Sequence, residues 1–187
     1  MTPTQLLDRV ERLFADHGAA AYHGEAVSQL EHALQAAQLA EEDGRPATVI
    51  AAALLHDVGH LLHALGEDCA TQGIDDRHEE LGVRLLAKGF GPEVTEPIRL
   101  HVAAKRYLCK TKTMYLLGLS LASIRSLELQ GGPMSPEEVR EFEENPHFGA
   151  AVAVREYDDR AKVVGLVTPP FAHFRPYLEA ALRADSA

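Results

Sequence analysis

Six side chains of the kinds that bind metal ions are spread through this sequence: His32, His56, Asp57, His78, His101 and Asp158. His56 and Asp57 are adjacent, and they close the run Ala51 to Leu55, which is apolar on every side of a helix. Such a helix belongs in the core. An imidazole and a carboxylate at its end either forfeit desolvation energy or hold a cation that offsets it. A lone inward histidine is more often a satisfied core residue than a ligand, so it is the joint pattern that argues for metal. Four histidines and two carboxylates exceed the donors of one four-coordinate zinc. They suit two first-row metals of the manganese or iron kind that share a bridging carboxylate. Asp57 is the natural bridge, because two ligands adjacent in sequence reach neighbouring metals only if one straddles both.

Cations recur beside these ligands. Lys105 stands one turn beyond His101, Arg155 one turn before Asp158, and His60 four residues after His56. An anion bound to the metals would meet all three, which points to a substrate with a phosphate-like head. On the bland reading Arg155 pairs with Glu156 or Asp159, and Lys105 snorkels to solvent.

The elements that must position these residues are helical. Leu6, Val10, Leu13 and Phe14 predict an opening helix over Thr4 to His17, followed by a linker from Gly18 to Gly24. A second helix is expected from Glu25 to Glu42, with Val27, Leu30, Leu34 and Ala37 inward; two turns then place Glu25, Ser28 and His32 on one side. Gly44 and Pro46 stop it and start the central helix, which is expected to end at Val58-Gly59. Leu65 to Asp76 is polar and aperiodic, a loop. Helices follow over Arg77 to Lys88, with His78 inward, and Glu93 to Leu108, with His101 inward; Pro97 is tolerable in the first turns of the latter. Tyr115 to Leu129 reads as one or two helices, and Gln130-Gly131-Gly132-Pro133 is a break. Ser135 and Glu138 form a capping box opening a helix to Glu144. Phe148 to Lys162 and His173 to Arg183 complete an all-α fold, one domain over 1–187, a compact bundle of roughly eight helices around a buried central one.

Composition narrows the function classes. A formal charge of −10 disfavours sequence-independent nucleic-acid binding, and no segment approaches a membrane span. The first residues lack the pattern of a signal peptide, so a cytoplasmic protein is expected. Cys69 and Cys109 lack metal-type spacing and are expected to be free thiols.

His32, His56-Asp57 and Asp158 match the H…HD…D signature of the HD-domain superfamily, all-α proteins whose usual trade is metal-dependent phosphohydrolysis. The stretches Gln29-Leu30-Glu31-His32-Ala33-Leu34-Gln35, His101 to Leu108 and Gln130 to Met134 narrow the likeness. They resemble the mixed-valent diiron oxygenases that cleave carbon–phosphorus bonds in hydroxylated aminoethylphosphonates, relatives of inositol oxygenase. The likeness runs from about Tyr22 to Lys162.

The resemblance implies one iron on His32, His56, Asp57 and Asp158 and another on Asp57, His78 and His101, in the Fe(II)/Fe(III) state with O2 as cosubstrate. Substrate would chelate the irons through its C1 hydroxyl and a phosphonate oxygen, with His60, Lys105, Ser123 and Arg155 around the phosphonate. Tyr22 would cap an iron until substrate arrives, and Glu25 would receive the substrate's ammonium group. The products would be a carboxylate and inorganic phosphate: glycine betaine from the trimethylammonio compound, glycine from the amino one, with an upstream hydroxylase supplying the C1 alcohol. The Asp68 to Asp76 loop, acidic and without aromatics, does not choose between them. The alternative is a two-metal phosphohydrolase of the same superfamily, which needs the same ligands. A degenerate, non-catalytic binding module is disfavoured because no expected ligand is missing.

Overall fold

The computed structural model describes residues 1–22, 25–62 and 77–183. The expected loop from Leu65 to Asp76 and Cys69 lie outside the described residues. Nine α-helices are described: α1 (Pro3–His17), α2 (Gln29–Glu42), α3 (Ala47–Leu55), α4 (His78–Leu86), α5 (Pro92–Thr111), α6 (Leu121–Leu129), α7 (Pro136–Glu143), α8 (Phe148–Arg160) and α9 (Phe171–Ala181). Short 3-10 turns cover Val58–Leu62 and Leu116–Gly118. Among the described residues, β-pairing is limited to two isolated bridges, Ala21 with Ser28 and Phe90 with Leu182. No helix of the described residues is long and apolar enough to cross a membrane.

Helix α3 is the axis. Every residue from Val49 to Leu55 is buried, and the helix packs against α2, α5, α8 and α9. Those are the helices that carry His32, His101 and Asp158, so burial of the apolar run fixes where the ligands converge. A smaller core of Leu100, Ala104, Met134, Phe142 and Ala151, with the Tyr107, Phe142 and Phe148 rings in mutual contact, pins α7 against α5 and α8.

Two expected boundaries are corrected. Helix α2 starts at Gln29, not Glu25. The Ser28 hydroxyl accepts from the Glu31 amide while the Glu31 carboxylate accepts from the Ser28 amide, a capping box that ends the helix there. Glu25 therefore sits in the segment before the helix, folded back by the bond from its amide to the Tyr22 carbonyl. Helix α3 ends at Leu55, not Val58-Gly59, and the chain tightens into the 3-10 turn that carries His60. Gly59 lets that turn meet α4. A Cβ at position 59 would lie 1.9 Å from the His78 carbonyl oxygen.

Candidate metal centre

His32, His56 and His101 are set by one device. Each donates its Nδ1–H to a backbone carbonyl: His32 to Ala161 (2.8 Å), His56 to Ala53 (2.8 Å) and His101 to Ile98 (2.7 Å). A carbonyl can only accept, so the tautomer is fixed and each Nε2 is left to face inward as the ligating atom. Nε2 of His32 then lies 3.1 Å from Nε2 of His56, and Nε2 of His78 lies 3.2 Å from Nε2 of His101.

Two neutral imidazole lone pairs at such a distance repel unless a cation lies between them. Asp57 supplies the negative charge that such a cation needs. Its Oδ2 faces the first pair, 3.2 Å from His56 and 3.6 Å from His32. Its Oδ1 faces the second, 3.3 Å from His78 and 3.5 Å from His101. Oδ1 is buried without a hydrogen-bond partner among the described residues. Two donor triads thus share one carboxylate, His32–His56–Asp57 and Asp57–His78–His101, each with its ligand atoms within 4.8 Å of one another. Asp158 joins the first, with Oδ1 3.5 Å from His32 Nε2. Buried, neutral imidazoles and a carboxylate with an oxygen toward each pair fit two metal ions bridged by Asp57.

The protonation pattern agrees. Burial, reinforced by the neighbouring His56, lowers His32 to about 4. Burial likewise holds His101 well below the usual histidine range. Burial opposes charge on His56 too, but Asp57 outweighs it and raises its pKa. Asp57 is pulled well below the carboxylate range despite its burial, His56 being the main cause.

Around this core stand the other expected residues. The Tyr22 ring stacks on His32 at 3.8 Å, and its hydroxyl donates to Asp158 Oδ1 at 3.2 Å. His60 stacks on His78 at 3.9 Å, with Nε2 3.9 Å from Asp57 Oδ1. Arg155 donates to Asp158 Oδ2 at 2.6 Å and also grips Asp159, which in turn accepts from the Tyr115 hydroxyl. Lys105 does not snorkel to solvent. It is 3% exposed, and burial, with Arg155 nearby, lowers it to about 7. Its ammonium donates to Ser126 at 2.7 Å; Ser123, buried one turn earlier on α6, bonds instead to Ser120. The candidate ligands that the sequence singles out are brought together here, and Arg155–Asp159 was readable from its i, i+4 separation. Tyr115 and Ser126 carried no such signal, being 40 and 21 residues from their partners.

The fold and this centre define an all-α protein built to hold metal between histidines and a shared carboxylate. The HD-domain family model matches residues 29–141, a span that includes five of the six candidate ligands and stops short of Asp158. A 1-hydroxy-2-(trimethylamino)ethylphosphonate dioxygenase (glycine-betaine-forming) from Leisingera caerulea is 44% identical over 174 residues, 93% of this chain and 89% of that protein. A hydroxymethylphosphonate dioxygenase from Gimesia maris is 47% identical over 189 residues, 97% of this chain and 90% of that protein. The chain belongs to the HD-domain family and, within it, to the group of phosphonate dioxygenases.

Proposed function

We propose that this chain, acting as one domain over 1–187, is a diiron dioxygenase of 1-hydroxyphosphonates. It would convert R–CH(OH)–phosphonate and O2 into R–COO⁻ and inorganic phosphate, with the trimethylammonio compound as first choice of substrate and glycine betaine as its product. The observation that carries the reading is the two histidine pairs facing opposite oxygens of Asp57. When bound, a mixed-valent iron pair supplies Lewis acidity for the C1 hydroxyl and phosphonate oxygens and the redox capacity for O2.

The protein's own groups then have distinct tasks. His32, His56, Asp57 and Asp158 hold one metal; Asp57, His78 and His101 hold the other. Lys105, Ser123, His60 and the part of the Arg155 fork not engaged by Asp158 and Asp159 receive the phosphonate. Tyr22, stacked on His32 and bonded to Asp158, would cover the first metal site until substrate arrives, and holding C1 at that site would convert an encounter into a positioned reaction. Glu25 offers a buried carboxylate oxygen without a hydrogen-bond partner among the described residues, suited to a quaternary nitrogen that cannot donate one. The amino analogue, giving glycine, uses the same carboxylate. A second reading, hydroxymethylphosphonate, is favoured by Lys162, whose ammonium 3.9 Å from Glu25 already supplies a cation there. The C1 alcohol implies an upstream hydroxylase, and the free Cys109 thiol suits a reducing cytoplasm.

The test is anaerobic preparation with iron, partial oxidation, and low-temperature EPR with and without each hydroxyphosphonate. A coupled mixed-valent signal that substrate perturbs, followed by O2-dependent phosphate release, is expected. Phosphate-ester hydrolysis with manganese and no such signal would transfer the site to the phosphohydrolase class.

A further inference from the structure

Lys162 follows α8 by two residues and touches none of the candidate ligands but Asp158. Its ammonium lies 3.9 Å from Glu25 Oε1, 3.8 Å from Asp158 Oδ1 and 5.6 Å from the centre of the Tyr22 ring. Two carboxylates and an aromatic face are the surroundings that a quaternary ammonium group would choose. We infer that Lys162 is a specificity-determining residue: its side chain occupies the niche of the substrate's cationic arm, so that charged and uncharged arms are discriminated by competition with it. The inference rests on the hydroxyphosphonate reading.

The physical chain is short. Glu25 lies before α2 and Lys162 beyond α8, and the Tyr22–Asp158 hydrogen bond brings the two segments together. Lys162 keeps its side chain 15% exposed, enough for the ammonium to swing toward water, whereas Asp158 is tied in place by Arg155. With metal on Asp158, that carboxylate's charge is neutralised and Glu25 becomes the main partner of whichever cation is present. A trimethylammonio substrate must displace Lys162 to reach Glu25. Hydroxymethylphosphonate has no cationic arm and leaves the pair intact, while its dianion gains from the nearby positive charge. Removing Lys162 therefore strengthens the first compound and weakens the second, and both shifts move selectivity the same way.

The experiment measures equilibrium binding, with no turnover. The iron-loaded protein, free of oxygen, is titrated calorimetrically with each hydroxyphosphonate, in the wild type and in Lys162→Met, Lys162→Gln and Lys162→Arg. The ratio of the two dissociation constants should move about tenfold toward the trimethylammonio compound in the Met and Gln variants, the size expected for one unit charge removed at the edge of a site. Lys162→Arg, which keeps the charge, should stay near the wild-type ratio. An unchanged ratio in both neutral variants, with both compounds still bound, would overturn the role of Lys162 and leave the function standing. Binding of neither compound by the wild type would overturn the functional reading itself, and this inference with it.

Discussion

Replacing Asp57 with alanine removes the one group that both histidine pairs share, and its consequences can be sized. In the metal-free protein the cost is small. Asp57 Oδ2 lies 3.2 Å from His56 Nε2, and its removal takes away a buried charge without stranding another, because the imidazole can be neutral. A loss of about 1 kcal/mol, one modest hydrogen bond, is expected. With metal the difference is large. A single ion at a hundred times its dissociation constant stabilises the folded state by about 2.7 kcal/mol. For a chain of 187 residues that raises the melting temperature by roughly 5–11 °C. Each occupied site adds such an increment to the wild type, and Asp57→Ala should show neither. Thermal unfolding followed by circular dichroism, with and without manganese or anaerobic ferrous iron, combined with metal analysis of desalted protein, reads both quantities. Two metals per chain in the variant, with the wild-type thermal shift, would refute the bridge.

Three further outcomes test the supports of the site. Gly59→Ala drives a methyl group to 1.9 Å from the His78 carbonyl oxygen, so α4 must retreat; a cost of about 1–3 kcal/mol and loss of one of two metals are expected, by melting and metal analysis. Asp159→Asn takes from Arg155 the carboxylate that grips two of its nitrogens. It should cost about 2 kcal/mol, since Asp159 is partly exposed, and raise KM for the hydroxyphosphonate more than it lowers kcat. Glu31 is held below its ordinary value of 4.5 chiefly by the Ser28 amide, so its ionised form stabilises the fold above that value and the benefit fades as pH falls through the lowered pKa. Glu31→Gln should therefore lower the melting temperature at pH 7 by more than it does as the pH falls below 4.5; an equal loss throughout would dismiss the charge as the cause.

How much of this was readable in advance follows from what each feature depends on. The convergence of the six candidate ligands was legible in part: His78, His101 and Asp158 sit at helical offsets from apolar residues, His56-Asp57 closes an apolar run, and His32 shares a side with Ser28 on its own helix. Glycine and proline likewise marked most breaks. The start of α2 was misplaced because Glu25 to Ser28 continues an amphipathic pattern, although Ser28 and Glu31 spell a capping box that overrides it. The Arg155–Asp159 pair was legible from its spacing, but the burial of Lys105 and the Tyr115 contact of Arg155 were not. Whether a long cation snorkels or stays buried depends on partners supplied by other elements, here Ser126 on α6 and Tyr115 before the 3-10 turn. Lys162 belongs to the same class: its neighbours Glu25 and Tyr22 are far away in sequence.

The two halves of the centre are oriented by different means, and this bears on which can be tuned. His56 and His101 each bond the carbonyl three residues earlier in their own helix, and His32 bonds the carbonyl of Ala161. Those acceptors are backbone, so no side-chain substitution removes them; only displacement of a helix does. The Asp57–His78–His101 triad therefore depends chiefly on packing, through Gly59 and the seat of α4. Asp158 is held instead by side chains: Arg155 takes one oxygen, and Tyr22 donates to the other with Lys162 close by. Substituting any of these three should change the basicity and reach of the Asp158 carboxylate while leaving the backbone-anchored rings of His56 and His101 in place.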